Sequence, residues 1–489
     1  MTSRLTTFEG LQDSVQRPAY GRDAQGPGIV HIGLGAFHKA HQAVYTDDAL
    51  AAQGGDWRIV GVSLRSEAPA AELVPQDGLY TVIERSTTGS RARVIGALAG
   101  VHCLKTDRDT VLNALTAPET RIVSITVTEK GYGINRATGG IDHTHPAITA
   151  DLADPDAPQG LVGLLVWALG KRRAAGIAPF TVLSCDNLPE NGPLLRGLLV
   201  DYARHTASDL TDHIARDVAF PATMVDRITP ARTKETLTLA EELIGRCDEA
   251  AIETEAFRQW VIEDHFPTGR PNWEAGGAIF VPDVRPYEDM KLRMLNGTHS
   301  MLAYAGFLAG HRYVRDVMAD ADLATLVREH LLAASATLDP LPGVDFTSYA
   351  AELEDRFRNP HLAHETYLIA MDGSEKMPQR IFAPAADALE KGQPIDAFAF
   401  ATAAWIRYTF GATDGGETYD LRDPRAAELP RPAIGDDPSI VVQSRLVLPG
   451  LFPAALSNSP AWQHAVAAHL SNLMQVGVKG TIHKMTAGN

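Results

Sequence analysis

The stretch Ile29-Val30-His31-Ile32-Gly33-Leu34-Gly35 shows how the first half of the chain folds. It begins with a short, mostly β-branched apolar run bounded by glycines, which is typical of a buried parallel strand. A helical pattern follows over 36–52, glycines end it, and 57–64 supplies a second strand. A strand, a helix and a strand of these lengths predict a βαβ unit with a right-handed crossover.

Gly33 and Gly35 have a physical use between a strand and a helix. The first glycine allows a tight turn, and the second lets the backbone approach a pyrophosphate at the positive end of the helix. His38 stands where the usual pattern has a third glycine. The residues of this turn that we expect to bind a dinucleotide are Gly33, Gly35, Ala36 and Phe37.

The segment after the second strand bears on the choice of cofactor. In such units the end of this strand normally carries an acid that binds the adenosine ribose. Glu67 fits that role, whereas Arg65 can instead face a 2′-phosphate. We therefore expect NAD as the cofactor, and the sequence leaves NADP open.

The rest of the chain divides into two regions of different periodicity. Apolar runs alternate with helical segments in the first region, which favours a mostly parallel sheet covered on both faces. The predicted strands are 79–84, 91–95, 121–128 and 180–185, with a helix over 161–175. From Tyr287 onward the periodicity is mainly helical, as over 291–308 and 320–338.

We therefore predict two domains. Residues 1–284 form an α/β Rossmann-type domain that has a mostly parallel sheet and binds the dinucleotide. Residues 285–489 form a predominantly α-helical domain, whose polar segments are the candidates for the substrate-binding and catalytic residues described next.

Composition excludes several classes of function. The 489 residues are 45% hydrophobic and 21% charged, which suffices for a sizeable core. Lys and Arg number 44 against 60 Asp and Glu, and the net charge of −16 disfavours nucleic acid and membrane surfaces as partners. The longest apolar run, 160–170, is too short to span a bilayer. The three cysteines lie far apart, which excludes a disulfide scaffold and leads us to expect a cytoplasmic protein.

The segment 291–299, Lys-Leu-Arg-Met-Leu-Asn-Gly-Thr-His, is the most informative part of the helical region. At about 100° per residue on an α-helix, Asn296 lies about 140° and His299 about 80° round from Lys291, so all three can reach one cavity. A lysine beside an asparagine suits carbonyl reduction, because the lysine moves the proton and the amide holds the developing oxyanion. The alternative is a solvated lysine next to a structural asparagine.

Three polar loops follow apolar segments and add candidates. Two of them, 128–132 and 185–189, come after strong strands, at the carboxyl edge where open α/β sheets bind ligands. The third, 220–227, is a polar turn. Two histidine clusters, 142–145 and 361–365, lack a third ligand at a fixed spacing, so no metal site is predicted.

Specific blocks of sequence occur in order along the chain, namely IVHIGLGAFHKAHQA, SITVTEKGYGIN, TVLSCDNLPENG, FPATMVDRITP, FRQWVIEDHFPTGRP and MKLRMLNGTHS. With these blocks, the chain resembles the zinc-independent long-chain polyol dehydrogenases from Ile29 to beyond Arg380. That family includes mannitol 2-dehydrogenase, fructuronate reductase and arabinitol 4-dehydrogenase. The resemblance implies an N-terminal Rossmann-type domain, a largely helical C-terminal domain and an active site between them.

The motif matches imply roles for individual residues. Lys291 resembles the catalytic acid/base of the family, and Asn187 and Asn296 resemble its oxyanion-holding pair. His299 resembles a residue that binds and orients the substrate.

Further residues match the same motifs. Glu129 corresponds to a glutamate that links the lysine to solvent, and Glu288 is close enough in sequence to share that task. Asp226 and Lys376 correspond to residues that contact the substrate.

Two departures separate the chain from mannitol enzymes. Lys130 stands where they usually have glycine, and Leu368 where they tend to carry arginine. Fructuronate reductases resemble the chain better at both places and share its 371–380 block. A uronate carboxylate is neutralised by a cation near the cleft, for which Lys130, Lys376 and Arg380 are the candidates.

The sequence therefore predicts an NAD(H)-dependent oxidoreductase that reduces the ketose-type carbonyl of a six-carbon sugar acid, first of all D-fructuronate to D-mannonate. Mannitol 2-dehydrogenase activity, or activity on another polyol, is the alternative. A non-catalytic dinucleotide-binding sensor is the alternative from another class, and the joint presence of the lysine, histidine and two asparagines disfavours it. The expected partner is a small molecule. A monomer fits the long chain, and the oligomeric state stays open.

Overall fold

The computed structural model describes residues 2–135 and 138–487. By their internal contacts these residues form two compact units, Met1–Arg285 and Pro286–Asn489. The boundary expected from the sequence lies after residue 284. The first unit combines strands with helices, and the second is helical.

All named strands of the described residues belong to the first unit. In chain order they are β1 (Pro27–Ile32), β2 (Arg58–Ser63), β3 (Tyr80–Ser86), β4 (Gly89–Ile95), β5 (Leu98–Cys103), β6 (Ile122–Ile125), β7 (Thr181–Ser184), β8 (Thr223–Asp226), β9 (Ile252–Glu255), β10 (Gln259–Glu263) and β11 (Ile279–Val281). The helices of this unit are α1 (Ala36–Ala40), α2 (Gln42–Gln53), α3 (Ala68–Leu73), α4 (Arg108–Thr116), α5 (Pro146–Ala153), α6 (Leu161–Ala174), α7 (Asn191–Thr206), α8 (Thr211–Asp217) and α9 (Lys234–Ile244).

A five-stranded, fully parallel sheet forms the centre of the first unit, in the order β5-β2-β1-β6-β7. In chain order, β2 and β5 add to one side of β1, and β6 and β7 then add to its other side. The strand order therefore reverses at β1. Doubly wound sheets bind ligands at such a reversal, beyond the carboxyl ends of their strands. The predicted Rossmann-type fold is therefore confirmed.

Apolar side chains cover both faces of this sheet. On one face, residues of α4, α6 and α7 pack on β1, β6 and β7. On the other face α2 packs together with Trp260 and Trp273, whose ring centroids lie 4.6 Å apart. Because the strands are buried on both sides, they appear in the sequence as continuous apolar runs.

Two three-stranded sheets lie outside the central one. The hairpin of β3 and β4 is antiparallel, and β9 joins β3 in parallel. In the other sheet β10 pairs with β8 antiparallel and with β11 in parallel. The mostly parallel sheet predicted for this domain is thus the central one. The short turn between β3 and β4 permits only an antiparallel pair in the smaller sheet.

The helix predicted over 36–52 is interrupted. α1 ends at Ala40 and α2 begins at Gln42, since His41 has a non-helical backbone with φ −116° and ψ −94°. Atom Nε2 of His41 lies 3.0 Å from the carbonyl oxygen of Gln259, so this side chain is tied to β10. The prediction of one continuous helix was wrong, because a break made by a tertiary contact leaves the apolar periodicity unchanged.

The second unit consists of helices packed around α11, as its periodicity predicted. They are α10 (Arg285–Met290), α11 (Thr298–Leu308), α12 (Val314–Ala319), α13 (Ala321–Ala336), α14 (Phe346–Phe357), α15 (Thr366–Ile369), α16 (Gly373–Met377), α17 (Ala383–Glu390), α18 (Asp396–Tyr408), α19 (Pro438–Leu446), α20 (Ala454–Ser457), α21 (Pro460–Gln475) and α22 (Gly477–Thr486), with π-helices at Lys291–Gly297 and Pro378–Phe382. α11 packs against α13, α15 and α18. Within the described ranges, no helix is long and apolar enough to cross a membrane.

Arg172, in the last turn of α6, binds backbone carbonyl groups of two connecting segments. The residue is 2% exposed. Its guanidinium donates to the carbonyl oxygens of Ala117, Thr120 and Ala178 at 2.6, 3.0 and 2.8 Å. These contacts join the end of α6 to the segments that precede β6 and β7. Without the arginine, buried acceptors would lose their donors.

Replacing Arg172 by methionine should lower the free energy of unfolding by about 3 kcal/mol, because several buried carbonyl groups lose their donor at once. Arg173→Met is the matched control, since Arg173 is exposed and its ion pair with Asp209, at 3.1 Å, should contribute under about 1 kcal/mol. Urea denaturation followed by circular dichroism measures both variants. Equal losses in the two would contradict the role given to Arg172.

Candidate functional site

The turn after β1 has a backbone conformation that favours glycine. Gly33 has φ +101°, and a Cβ atom there would lie 1.9 Å from the carbonyl oxygen of Thr126. The amide of Gly33 donates to the carbonyl oxygen of Val62 at 2.8 Å, which joins the turn to the end of β2. A Cβ atom on Gly35 would meet nothing closer than 3.8 Å outside its chain neighbours. This open side of the turn fits the pyrophosphate of a dinucleotide.

The amides of Ala36 and Phe37 belong to the first turn of α1, whose N-cap is Gly35. Amides of a first helical turn have no partner in their own helix, so they can bind phosphate oxygens. α1 contains only five residues, so its dipole is weaker than the sequence analysis assumed for a helix over 36–52. A phosphate bound at this turn would therefore be held mainly by backbone amides.

His38 occupies the place of the third glycine and packs under the turn. Its ring stacks on that of His31 with 3.5 Å between centroids, and both residues are fully buried. Burial lowers the pKa of His31 to about 3 and also lowers the pKa of His38. Two neutral imidazoles therefore fill the space between strand and helix that a glycine would leave. The absence of a third glycine was the only signal of this pair in the sequence.

Glu67 and Arg65 lie in different surroundings after β2. The hydroxyl of Ser63, at the end of β2, donates to the carbonyl oxygen of Ser66 and folds the segment into a turn. Arg65 is exposed on this turn and lines a cavity. Glu67 is exposed too, and its carboxylate lies 3.6 Å from the ammonium group of Lys105. The carboxylate predicted to bind the ribose is thus paired with a lysine at the surface.

Asp186 and Tyr132 join the loops at the carboxyl ends of β6 and β7. One carboxylate oxygen of Asp186 accepts from the amide of Val127 at 3.0 Å and from the Tyr132 hydroxyl at 2.5 Å. Burial raises the pKa of Asp186 to about 6, although both hydrogen bonds act in the opposite direction. Asn191 extends the connection by donating to the carbonyl oxygens of Asp186 and Thr223. The sequence indicated these loops and did not reveal this network.

The candidate residues of the same edge are exposed. Asn187 directly follows Asp186, whose backbone and side chain are held in the network. Glu129 and Lys130 lie in the 3₁₀ turn Glu129–Tyr132, which follows β6. The structure therefore places these three residues beyond the carboxyl ends of β6 and β7, as their positions after strands predicted.

Asp226 ends β8 and is 5% exposed. It pairs in register with Gln259 of β10, and its charge acts on His41 and Tyr45. Asp226 therefore lies near the break between α1 and α2, within the same unit as the glycine turn.

Arg227, the next residue, has a structural role that the motif did not reveal. Its guanidinium donates to the carboxylate of Glu84 at 2.6 Å and to the carbonyl oxygen of Glu255 at 3.0 Å. It also donates to the carbonyl oxygen of Ala40, at the end of α1. Arg227 thereby fixes β3, β9 and the end of α1 relative to one another.

Lys291 and Asn296 lie in the π-helix Lys291–Gly297, between α10 and α11. A π-helix closes hydrogen bonds between residues i and i+5, so residues five apart lie above one another along its axis. The separation of about 140° predicted for an α-helix is therefore wrong, and Asn296 lies on the same side of the helix as Lys291. Lys291 is 8% exposed, and Asn296 is half-buried.

The two π-helices contact each other at a glycine. A Cβ atom on Gly297 would lie 2.7 Å from the carbonyl oxygen of Arg380, which belongs to the second π-helix, Pro378–Phe382. Atom Nη1 of Arg380 in turn lies 3.5 Å from the carbonyl oxygen of Asn296 and 3.3 Å from Oγ of Ser300. The glycine thus brings Arg380 beside the first π-helix.

His299 is a neutral imidazole at the start of α11. Its ring packs against those of Phe357 and His364, with centroids 4.6 and 5.8 Å away. Burial, followed by the charges of His364, Arg356 and Arg380, holds the pKa of His299 well below its ordinary value. Its Nε2 is buried and has no hydrogen-bond partner among the described residues. This nitrogen can therefore bind a substrate hydroxyl group.

Arg380 and Lys376 differ in their surroundings. The half-buried guanidinium of Arg380 forms no ion pair within residues 2–135 and 138–487, and burial lowers its pKa. Atom Nζ of Lys376 donates to the carbonyl oxygen of Met371 at 2.6 Å and lies 3.5 Å from the carboxylate of Asp372. Of these two predicted substrate cations, Arg380 is the one with donors left for an anion.

Leu368, which stands where mannitol enzymes tend to carry arginine, is 52% exposed.

The histidine clusters show no arrangement for a metal ion. In the described part of the chain, no group of three or more His, Cys, Asp or Glu side chains could hold one. The carboxylate of Asp142 accepts from the amide and the hydroxyl of Thr144, at 2.9 and 2.7 Å. His364 packs against His299.

Comparisons with known proteins cover nearly the whole chain. The family model of the mannitol dehydrogenase Rossmann domain matches residues 27–275, and that of the mannitol dehydrogenase C-terminal domain matches residues 283–474. D-mannonate oxidoreductase of Escherichia coli (strain K12) is 40% identical over 484 residues, which cover 97% of this chain and 99% of that protein. Mannitol 2-dehydrogenase of Cereibacter sphaeroides is 44% identical over 422 residues, which cover 85% and 88%.

A solved structure shares this fold. Mannitol 2-dehydrogenase of Pseudomonas fluorescens, in a ternary complex with NAD and D-mannitol, matches with a TM-score of 0.82 and 37% identity, over 100% of both chains. Both family models, the relatives and this structure agree with a Rossmann unit that carries the glycine turn and a helical unit that carries Lys291. The chain therefore belongs to the mannitol dehydrogenase family of oxidoreductases.

Proposed function

We propose that this chain reduces the keto group of a six-carbon sugar acid with a nicotinamide cofactor, and that its reaction is D-fructuronate to D-mannonate. The observation that carries the proposal is the half-buried guanidinium of Arg380, which lies beside Asn296 and forms no ion pair among the described residues. A planar guanidinium binds a carboxylate best, through two parallel charge-assisted hydrogen bonds. Mannitol and fructose have no such group to offer.

The relatives support the class of reaction. One is a D-mannonate oxidoreductase and the other a mannitol 2-dehydrogenase, at 40% and 44% identity, so identity alone does not select a substrate. Lys130 is the competing carboxylate partner. Because Lys130 is exposed, water would screen such a pair and leave it weak.

The expected cofactor is NAD, which the mannitol 2-dehydrogenase of Pseudomonas fluorescens contains in its ternary complex. The turn of Gly33 and Gly35 and the first-turn amides of Ala36 and Phe37 would hold its pyrophosphate. When bound, the reduced nicotinamide supplies the hydride.

Lys291 is the proposed proton donor. The residue is 8% exposed, and an ammonium group can give the substrate oxygen the proton that carbonyl reduction requires. The side-chain amide of Asn296, on the same side of the π-helix, donates a hydrogen bond to that oxygen as its negative charge develops. The family motifs imply that Asn187 is a second amide donor to the same oxygen. They imply that Glu129 links the lysine to solvent for proton transfer.

His299 and Arg380 would orient the substrate. Nε2 of the neutral His299 binds a hydroxyl group, and the guanidinium of Arg380 binds the terminal carboxylate. Holding the substrate at two points aligns its keto group with Lys291 and Asn296, which is where positioning contributes most to the rate.

Lys291→Met should lower kcat with NADH and D-fructuronate by about 10²- to 10⁴-fold, because the variant lacks its general acid. NADH affinity, measured by fluorescence titration, should change by less than about twofold, since the residue acts on the substrate. Turnover as fast as in the parent would contradict the role of the lysine. A parent that binds NADH and reduces no keto sugar would instead be a dinucleotide sensor.

The parent should show a higher kcat/KM with D-fructuronate than with D-fructose when NADH absorbance is followed in parallel assays. Arg380→Met should lower the value for D-fructuronate by about 100-fold, the loss expected for charge-assisted hydrogen bonds, and that for D-fructose by much less. Lys130→Ala is the comparison variant and should change either value by less than about threefold. A parent that prefers D-fructose, or an equal loss for both substrates in Arg380→Met, would rule out the sugar acid in favour of a polyol.

A further inference from the structure

A cavity of about 650 Å³ lies beyond the carboxyl ends of β2 and β5. It combines apolar walls with three cations, and of the described residues that line it none is acidic. These residues are Leu64, Arg65, Leu104, Lys105, Arg108, Pro146, Ala147, Ala150, Ala157 and Gln159.

The position of this cavity in the sheet matches the adenosine end of a dinucleotide. β2 is the neighbour of β1, whose carboxyl end carries the glycine turn, and β5 is the next strand outward. In this topology the pyrophosphate lies at the first turn and the adenosine ribose at the end of the second strand. Leu64 directly follows β2 and Leu104 directly follows β5, so both apolar side chains can contact the adenine ring.

Arg108 lines this cavity and has one donor without a partner among the described residues. It is the first residue of α4, and its Nη1 donates to the carbonyl oxygen of Pro158 at 3.0 Å. Its Nη2 is buried and has no hydrogen-bond partner in the part of the chain that the structure describes. A buried guanidinium nitrogen without an acceptor is costly unless a ligand supplies one.

Arg65 adds a second cation at the same edge of the sheet, after the neighbouring strand β2. The turn that carries it is closed by the hydrogen bond from the Ser63 hydroxyl to the carbonyl oxygen of Ser66. Arg65 forms no ion pair within the described ranges, whereas Lys105 lies 3.6 Å from the carboxylate of Glu67. Glu67, the acid that would hold a ribose 2′-hydroxyl, therefore already has a cation beside it, while the charge of Arg108 acts on the carboxylate of Asp151.

We infer that Arg65 and Arg108 bind the 2′-phosphate of a phosphorylated dinucleotide, so that this chain accepts NADP(H) as well as NAD(H). The inference rests on the proposed dinucleotide function and extends it to the second form of the cofactor. A phosphate monoester brings up to two negative charges and three acceptor oxygens, which two guanidinium groups can bind.

Fluorescence titration of the substrate-free protein with NADPH and with NADH tests this inference. The parent should bind NADPH with a Kd within about tenfold of that for NADH. Arg65→Ala should weaken NADPH binding by about ten- to 100-fold and NADH binding by less than about threefold, because only NADPH loses a charged contact. Titration calorimetry with 2′,5′-ADP and 5′-ADP should reproduce the difference without the nicotinamide.

Two further variants separate a phosphate contact from a structural effect. Arg108→Ala also removes the hydrogen bond to Pro158, so a loss of affinity alone is ambiguous. The readout is therefore the ratio of the NADPH affinity to the NADH affinity, which damage to the fold would leave unchanged and loss of a phosphate contact would lower. Arg216→Ala is the control, since Arg216 is an exposed residue of α8 paired with Asp212 and should affect neither cofactor.

The outcomes are distinguishable. A parent that binds NADH but binds NADPH more than about tenfold more weakly would overturn this inference and leave the proposed function standing. Equal losses of NADH and NADPH affinity in Arg65→Ala would also overturn this inference and leave the proposed function standing. Failure to bind either nucleotide would overturn the proposed function and this inference together.

Discussion

Backbone contacts at two glycines hold the groups that matter for the chemistry. At Gly33 the chain passes against the carbonyl oxygen of Thr126, and at Gly297 one π-helix passes against the carbonyl oxygen of Arg380. In both places a Cβ atom would collide with backbone that cannot move aside, so the approach depends on its absence. The first contact shapes the dinucleotide turn, and the second brings a guanidinium group to the helix that carries the proposed acid. Charges and hydrogen bonds act at these sites only because the backbones are already close.

Much of the first unit could be predicted from the sequence, because its signals are local. Apolar runs bounded by glycines predicted the parallel strands, and the glycines after β1 predicted the turn. Two features could not be predicted in this way. The break at His41 depends on a bond to the backbone of β10, and the π-helix at 291–297 lies against a second π-helix about 80 residues later in the chain. Helical periodicity contains neither contact, so the separation of about 140° predicted between Lys291 and Asn296 was wrong.

The candidate site shows the same limit at the level of single side chains. Lys376 and Arg380 are four residues apart, and the sequence offered both as partners for a carboxylate. Their difference comes from the backbone, since carbonyl groups accept from Lys376 and leave most donors of Arg380 unused. Glu67 is a similar case, because its pairing with Lys105 could not be read from its place after a strand. Residue type and position therefore identify candidates, and competition from neighbouring groups determines which of them can bind a ligand.

The π-helix at Lys291–Gly297 makes the length of this segment as important as its composition. A single π turn holds one residue more than the α turn that it replaces. Deleting one residue between Lys291 and Asn296 would let the segment become a regular α-helix with the asparagine four places from the lysine, at about 40° instead of the roughly 140° of five places. His299 would then lie seven places from the lysine, at about 20°, so both side chains would stay on its side of the helix. A regular α-helix therefore needs one residue fewer than this segment to align the same side chains, and the π turn accommodates the extra residue.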